Sequence, residues 1–432
     1  MDAESPTCPL LAGDQKLAAA VSGGTTRSDV SDELLLRRLR ASLRWCALDH
    51  SSAASRAASY LAFFTLALAV PAAATFLLPL PPTAGEEAAT GIPFNALAQL
   101  PESALAAIAF LTFRCRRGLR QLLLVDGVLR DSPAVRQGYA REIDRAFRYL
   151  AGILLPSVSV ELTRKSLLLS SSPAAAVVAV AAVASWLYRS GVFLLVCVLF
   201  RLTCELQILR FEELYRMFGE GGGGPASSAS AASAAEEEEE EEERVEVVMM
   251  REHMRIRRQV RATSHEYRIF IICCLVTITV SQLGALMMVL ASKGKNNFSN
   301  SGDLVVCSVV QLSGFLMCLF GAARITHRAQ RVVSVATRWH VIMSAGSPTA
   351  KALHESDGCD QHRYPDLSSS QPSVLAANSS FESRQALVAY LQHNGGGITI
   401  FGFQLDRGLL HTLFAFEMTL VLWILSKVVV LS

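Results

Sequence analysis

The feature that most constrains this chain is a series of long apolar runs. A bilayer has a hydrocarbon core of about 30 Å, which a helix crosses with about 20 mostly apolar residues. Runs of that length lie at about 57–80, 93–113, 174–200, 269–291, 304–323 and 404–430. The composition agrees, because 51% of the residues are hydrophobic and only 18% are charged. The sequence therefore predicts an all-α membrane protein.

A further helix is predicted between the second and third of these runs. The stretch Tyr149–Thr163 is apolar but shorter than a membrane span. It reaches spanning length when Leu167–Leu169 continue it, with Arg164 and Lys165 snorkelling to the headgroups. Including it gives seven transmembrane helices, the number with which the distribution of basic residues agrees.

The basic residues predict the orientation of the chain. Of the 40 Lys and Arg residues, 34 lie before the first helix or in the loops after the second, fourth and sixth, and four lie in the opposite loops. Cytosolic loops carry the excess of positive charge, so the N-terminus is predicted in the cytosol and the C-terminus outside. Asn297 is then an extracellular candidate for glycosylation, whereas the acceptor at Asn378 is cytosolic and is predicted to be unmodified.

Low-complexity segments divide the chain into regions. The segment 220–243 runs from glycine, serine and alanine into eight consecutive glutamates, and a segment of this kind cannot bury a core. The predicted regions are a disordered tail at 1–35, membrane helices 1–4 with their cytosolic loops at 36–219, the disordered linker at 220–243, a cytosolic helical extension with membrane helices 5–6 at 244–344, a disordered cytosolic loop at 345–382, and an anchor segment with membrane helix 7 at 383–432.

No recognisable catalytic motif is present in the sequence. It has no Walker loop, HExxH motif, nucleophile elbow or dinucleotide fingerprint. We therefore predict that the protein is not an enzyme and that it has no cofactor, no metal site and no nucleic-acid partner. The predicted partner is the lipid bilayer, in the plasma membrane or, alternatively, an endomembrane.

Three charged residues lie inside the predicted spans, where an ionised group is costly. The helical rise places Glu102, Arg189 and Glu417 about 16–18 Å above the cytosolic boundary. Charges of mixed sign at one depth predict a buried polar cluster with Arg189 neutralising at least one carboxylate. Two interpretations stay open: an ion pair that only holds helices together, and a ligand pocket or ion path.

The start of the last helix resembles a known family. Phe403–Leu410 reads F-Q-L-D-R-G-L-L, and this resembles the F-x-L-D-R-x-L-L pattern that precedes the pore helix of insect gustatory and odorant receptors. Leu405, Asp406 and Arg407 are the centre of that pattern. Six other stretches resemble a plant gustatory-receptor-like membrane family without assigned function: Leu43–Trp45, Asp49–Ser52, Ser185–Ser190, Val196–Leu202, Ile325–His327 and Trp339–Val341.

The resemblance implies an insect-chemoreceptor-like, homotetrameric ion channel that an external small molecule opens. It also implies that the last helix lines the pore, and we assign Thr419, Trp423, Ser426 and Lys427 to that lining. Departures from the insect pattern at Thr419-Leu420 and Ser426-Lys427 leave ion selectivity open. Four copies of Lys427 would repel cations, or Lys427 snorkels to headgroups. The alternative function is a non-conducting membrane receptor or scaffold that acts through its cytosolic segments.

Overall fold

A computed structural model of the protein describes residues 53–76, 94–114, 131–167, 173–220, 233–291, 298–346 and 371–431. Almost all of them are helical. The elements in chain order are α1 Ala53–Phe63, a π-helical stretch Phe64–Ala69, α2 Val70–Phe76, α3 Phe94–Arg114, α4 Pro133–Leu167, α5 Pro173–Glu220, α6 Ser233–Ala291, α7 Phe298–Gly346, α8 Gln371–His393, β1 Thr399–Ile400, β2 Phe403–Gln404 and α9 Arg407–Leu431.

Helix α5 forms the centre of the fold. It packs against α3, α4, α6 and α7, and the residues from Val192 to Phe200 are all buried. A helix that is surrounded by other helices has to be apolar on every side rather than on one face, and this part of α5 is apolar on every side. In its most apolar stretch 89% of the residues are buried within a single copy of the chain.

Four helices in the described part of the chain are long and apolar enough to cross a membrane. They lie within α5, α6, α7 and α9, and a shorter apolar helix covers Ala57–Ala73. Helix α3 coincides with the predicted second span, and α4 contains the predicted third span as far as Leu167 but begins earlier, at Pro133. The predicted all-α membrane class is therefore confirmed, whereas the count of seven spans and the orientation of the termini stay predictions.

Three helices are much longer than a bilayer is thick. Helices α5, α6 and α7 contain 48, 59 and 49 residues, which corresponds to about 70–90 Å at 1.5 Å per residue. Their extra length runs unbroken into the basic segments predicted to be cytosolic. There Asp131, just before α4, is joined at 2.6 Å to Arg210 of α5 and at 3.2 Å to Arg255 of α6.

The structure is more helical than predicted in two segments. Residues 233–243 belong to α6 and residues 371–382 to α8, although both ranges were assigned to disordered regions. Alanine and glutamate have high helix propensity, and glutamates near a helix N-terminus interact favourably with its dipole. For α8, burial of Leu387 and Leu391 further along supports the helix. The tail at 1–35 and residues 221–232 and 347–370 lie outside the described residues.

A short hairpin, made of two strands of two residues each, connects α8 to α9. Its turn is formed by Phe401 and Gly402, which have φ of 47° and 92°. Two successive positive φ values are typical of the turns that match strand twist in tight hairpins. Ser264 of α6 accepts a hydrogen bond from Thr399 N at 3.1 Å, and Thr326 of α7 accepts one from Ile398 N at 3.2 Å. The hairpin is thus held against both long helices.

Candidate functional site

A buried ion pair forms where α3 meets α5. Arg189 Nη2 lies 3.5 Å from Glu102 Oε2, and both side chains are 3% exposed. Arg189 Nη1 also donates to the Gln99 carbonyl at 3.0 Å and to Ser103 Oγ at 3.1 Å, while Nε donates to the Ser185 carbonyl at 3.4 Å. The guanidinium is therefore held by groups on both helices.

The carboxylate of the pair is less well satisfied than the guanidinium. Ser190 Oγ donates to Glu102 Oε1 over a long 3.5 Å, and Glu102 Oε2 makes no hydrogen bond. The Trp186 indole and the Cys307 thiol also lie beside this carboxyl group, although the position of Trp186 Nε1 does not satisfy the geometry of a hydrogen bond. A buried carboxylate oxygen without a hydrogen bond is costly, and Glu102 Oε2 exposes almost no surface.

Helix α4 adds charged residues that were not predicted for this site. Glu161 is 3% exposed and lies 3.0 Å from Arg164 Nη2 and 3.7 Å from Lys165 Nζ. Arg164 and Lys165 were predicted to snorkel outward. A signal was present in the sequence, because Glu161, Arg164 and Lys165 are spaced i, i+3 and i, i+4, the spacing at which helical side chains meet.

These groups line one recess, which we call the polar cleft. It encloses about 20 Å³, and its lining comes from α2, α3, α4, α5 and α7. The lining residues are Val70, Pro71, Gln99, Glu102, Glu161, Lys165, Ala182, Ser185, Trp186, Arg189 and Cys307. A second cavity, of about 10 Å³, is also lined by Glu102 and Arg189, together with Gln311.

Glu417 does not join this site. Thr279 Oγ1 of α6 donates to Glu417 Oε1 at 2.6 Å. The side-chain amide of Gln282, oriented with its nitrogen toward Glu417, donates to Oε2 at 3.1 Å. The predicted cluster is thus corrected to one ion pair and one separate polar contact between α6 and α9. Helical rise gives the position of a residue along its own helix axis, and it does not indicate which helices are neighbours.

The predicted pore-lining residues lie on one side of α9. Thr419, Trp423 and Ser426 are exposed, whereas Leu420 and Ile424 pack against α6 and α7 through Ala285, Leu286 and Leu304. Lys427 lies in α9, but its side chain is not among those described. Asn297 lies outside the described residues. No group of three or more His, Cys, Asp or Glu side chains arranged to bind a metal occurs in the described part of the chain.

The motif Leu405-Asp406-Arg407 marks the beginning of α9. Leu405 is buried and its N–H donates to the Ile398 carbonyl at 2.9 Å. Asp406 Oδ1 accepts a hydrogen bond from Leu409 N at 2.8 Å, which is the geometry of a helix N-cap. Arg407 is the first helical residue and is exposed. The motif therefore has a structural reason, since it ends the hairpin and starts the helix.

The fold and the buried polar site define an integral membrane protein built almost entirely from helices. The model of a family described as proteins of unknown function (DUF3537) matches residues 34–223 and 233–416, and the chain belongs to that family. No curated protein matches the chain. The relationship to plant gustatory-receptor-like proteins stays a resemblance.

A solved structure of an insect olfactory receptor has a similar fold. The OR5 receptor of Machilis hrabei in complex with eugenol is similar with a TM-score of 0.54 and 13% identity, over 93% of this chain and 100% of that one. The structure of OR5 alone gives a TM-score of 0.49 and 14% identity, over 90% and 96%. The first similarity confirms the insect-chemoreceptor-like fold that the sequence of the last helix implied.

Proposed function

We propose that this protein is an ion channel opened by an external small molecule, and that it works as a homotetramer with α9 around the pore. The exposed side of α9 carries the proposal. In the most apolar stretch of α9 only 22% of residues are buried, against 89% in α5. Thr419, Trp423 and Ser426 lie on that side, where neighbouring copies and a shared pore would cover them.

The polar cleft is the proposed ligand site. A protein of the same fold has been solved with a small molecule, eugenol. The cleft of this chain encloses about 20 Å³, the space of one or two water molecules, so a ligand would have to widen it. In the predicted orientation, the end of α4 that carries Lys165 faces outside, so the mouth of the cleft would open to the extracellular solution.

Helix α7 is a direct physical link between the cleft and α9. Cys307 lines the polar cleft, and Leu304, one turn earlier, packs against Leu420 and Ile424 of α9. Tightly packed side chains transmit small displacements because interiors contain few voids. A ligand that moves this end of α7 would therefore shift α9 and change the width of the pore.

Ion flux through purified protein tests the proposal. Wild-type protein in vesicles is expected to release potassium, and Trp423→Ala is expected to change the rate severalfold because it alters the pore wall. Phe64→Ala is the matched control, since Phe64 is an aromatic residue that is 56% exposed in the π-helical stretch after α1.

The oligomeric mass separates this function from the alternative. A detergent-corrected mass of four times 46.7 kDa is expected. A stable monomer that releases no potassium would contradict the channel and leave a receptor or scaffold that acts through its cytosolic segments.

A further inference from the structure

We propose that a single anionic phospholipid of the cytosolic leaflet binds between α4 and α7, with its phosphate against Arg145 and Arg324. The site shares no residue with the polar cleft or with the exposed side of α9, and it is independent of the proposed function. The side chains that form it lie where three of the predicted spans reach the cytosolic boundary.

The ends of these three spans meet in the structure. Arg201 and Arg324 directly follow the apolar runs of α5 and α7, and Tyr149 begins the apolar stretch of α4. Arg201 Nη2 lies 3.7 Å from Glu205 Oε1, and Arg324 Nη1 donates to the same oxygen. The Arg201 guanidinium also lies over the ring of Tyr149, 4.6 Å from its centre. These contacts place the three ends at one level, as expected where α4, α5 and α7 leave the bilayer core.

The side chains at this level carry an uncompensated positive charge. Charged groups that act electrostatically on Glu205 are those of Glu142, Arg145, Arg201 and Arg324. Three guanidinium groups and, with Glu205 itself, two carboxylates leave a net charge of +1. Asp144 and Arg148, one turn apart on an adjoining side of α4, are both exposed and balance each other. A headgroup with one net negative charge would neutralise the site.

The convergence of arginines distinguishes this site from ordinary snorkelling. An arginine near the end of a span usually reaches the headgroups on its own. Here Arg201 and Arg324 belong to different helices and share one oxygen of Glu205, and Arg145 of a third helix acts on the same carboxylate. Like charges repel one another, and a phosphate bound among them reduces that repulsion.

Two of the guanidinium groups are accessible to a ligand. The side chains of Arg145 and Arg324 are 47% and 45% exposed, against 16% for Arg201. A guanidinium has five N–H donors in a planar fork that matches the oxygens of a phosphate. Among the described residues, Arg145 and Arg324 each make a hydrogen bond through Nη1 only, to Glu142 and to Glu205 respectively. Each can therefore donate to a phosphate while keeping its carboxylate partner.

Each exposed arginine has an exposed aromatic residue one turn nearer the membrane centre. Tyr149 follows Arg145 in α4 and is 46% exposed, and Phe320 precedes Arg324 in α7 and is 48% exposed. Both pairs have the spacing i, i+4, at which side chains share one side of a helix. Helices α4 and α7 are in contact, and the predicted topology makes them antiparallel. The same order of charge and ring on both helices matches a phospholipid, whose phosphate lies at the headgroup level and whose acyl chains lie deeper.

Lipid binding to the full chain in detergent tests the inference. The probes are dioleoylphosphatidylglycerol, which has one net negative charge, and dioleoylphosphatidylcholine, which has the same acyl chains and phosphate without a net charge. Native mass spectrometry is expected to show one phosphatidylglycerol per chain, bound about fivefold or more tightly than phosphatidylcholine. Equal affinities for the two lipids would overturn the inference.

A soluble phosphate separates a lipid site from a general phosphate site. sn-Glycerol 3-phosphate has the phosphate of the headgroup but no acyl chains. At the concentration that saturates with phosphatidylglycerol, it is expected to leave the bound lipid in place. Displacement of the lipid at that concentration would overturn the lipid assignment in favour of a soluble ligand.

Variants locate the bound lipid. Arg145→Gln and Arg324→Gln are each expected to lower the affinity for phosphatidylglycerol about fivefold, and to leave that for phosphatidylcholine nearly unchanged. Arg251→Gln is the matched control, because it removes the same charge from an exposed position of α6 that lies about 27 Å along the helix from its apolar run. Equal losses in Arg251→Gln and Arg324→Gln would indicate a general effect of charge and overturn the site.

Discussion

Arg189 is the residue on which the buried polar site depends. Its guanidinium faces Glu102 and donates to Gln99, Ser103 and Ser185. Removing charges from water costs several kcal/mol per ion, and a partner offsets that cost only while both members are present. The pair therefore holds α3 to α5 as long as it is intact. Removing one of the two residues would leave the other buried without a partner and would destabilise the protein.

We expect Arg189→Ala to lower the free energy of unfolding by about 3–5 kcal/mol, because it leaves the Glu102 carboxylate buried without a partner. Adding Glu102→Gln should restore part of the loss, since a neutral amide is less costly to bury. The measurement is unfolding of the detergent-solubilised protein for wild type, both single variants and the double variant.

Arg145→Ala is the control for this set of single and double variants. Arg145 pairs with Glu142 at the surface, where its side chain is 47% exposed, and its loss should cost about 1 kcal/mol or less. Similar losses for Arg189→Ala and Arg145→Ala would contradict the role given to the buried pair.

At the scale of the elements, α5 and α7 pack closely around Gly314. A Cβ atom added to Gly314 of α7 would lie 2.7 Å from Phe193 Cε1 and 2.9 Å from Leu194 Cδ2 of α5. Any side chain at this position would have to displace the ends of Phe193 and Leu194, both of which are buried. Small residues commonly allow close packing between membrane helices.

Gly314→Ala is therefore expected to destabilise the protein by about 1–3 kcal/mol through overpacking. Gly152→Ala in α4 is the matched control, because an added Cβ meets nothing within 4 Å there, and alanine stabilises a helix by about 1 kcal/mol relative to glycine. Thermal unfolding should move in opposite directions for the two variants. A shift in the same direction and of the same size would contradict the close packing of α5 on α7.

At the scale of the whole molecule, the orientation in the membrane decides which end of the polar cleft meets the extracellular solution. The prediction depends on 34 basic residues on one side against four on the other. Two glycosylation acceptors fall on opposite sides of the predicted topology, at Asn297 and Asn378.

Expression through a eukaryotic secretory pathway should add a glycan at Asn297 only. Treatment with a glycosidase is then expected to reduce the apparent mass of wild type and of Asn378→Gln, and to leave Asn297→Gln unchanged. A mass shift that depends on Asn378 would invert the topology and turn the polar cleft toward the cytosol.

The local features of the chain were predictable from its sequence. Run lengths located the helices, since a span needs a defined number of apolar residues, and helix α9 begins within three residues of the predicted 404–430. The L-D-R motif predicted the beginning of the last helix, where Asp406 forms the N-cap. The glutamates at 236–243 belong to the predicted disordered linker, whereas the structure includes them in α6, in agreement with the helix propensity of glutamate.

The composition of the site was decided by tertiary structure. The sequence predicts that Glu102, Arg189 and Glu417 lie at one depth, since helical rise converts residue number into distance along an axis. It did not contain the lateral arrangement of the helices, which follows from how side chains of different helices pack together. That packing brought Glu102 to Arg189, added Glu161 and Lys165 from α4, and placed Glu417 against Thr279 of α6.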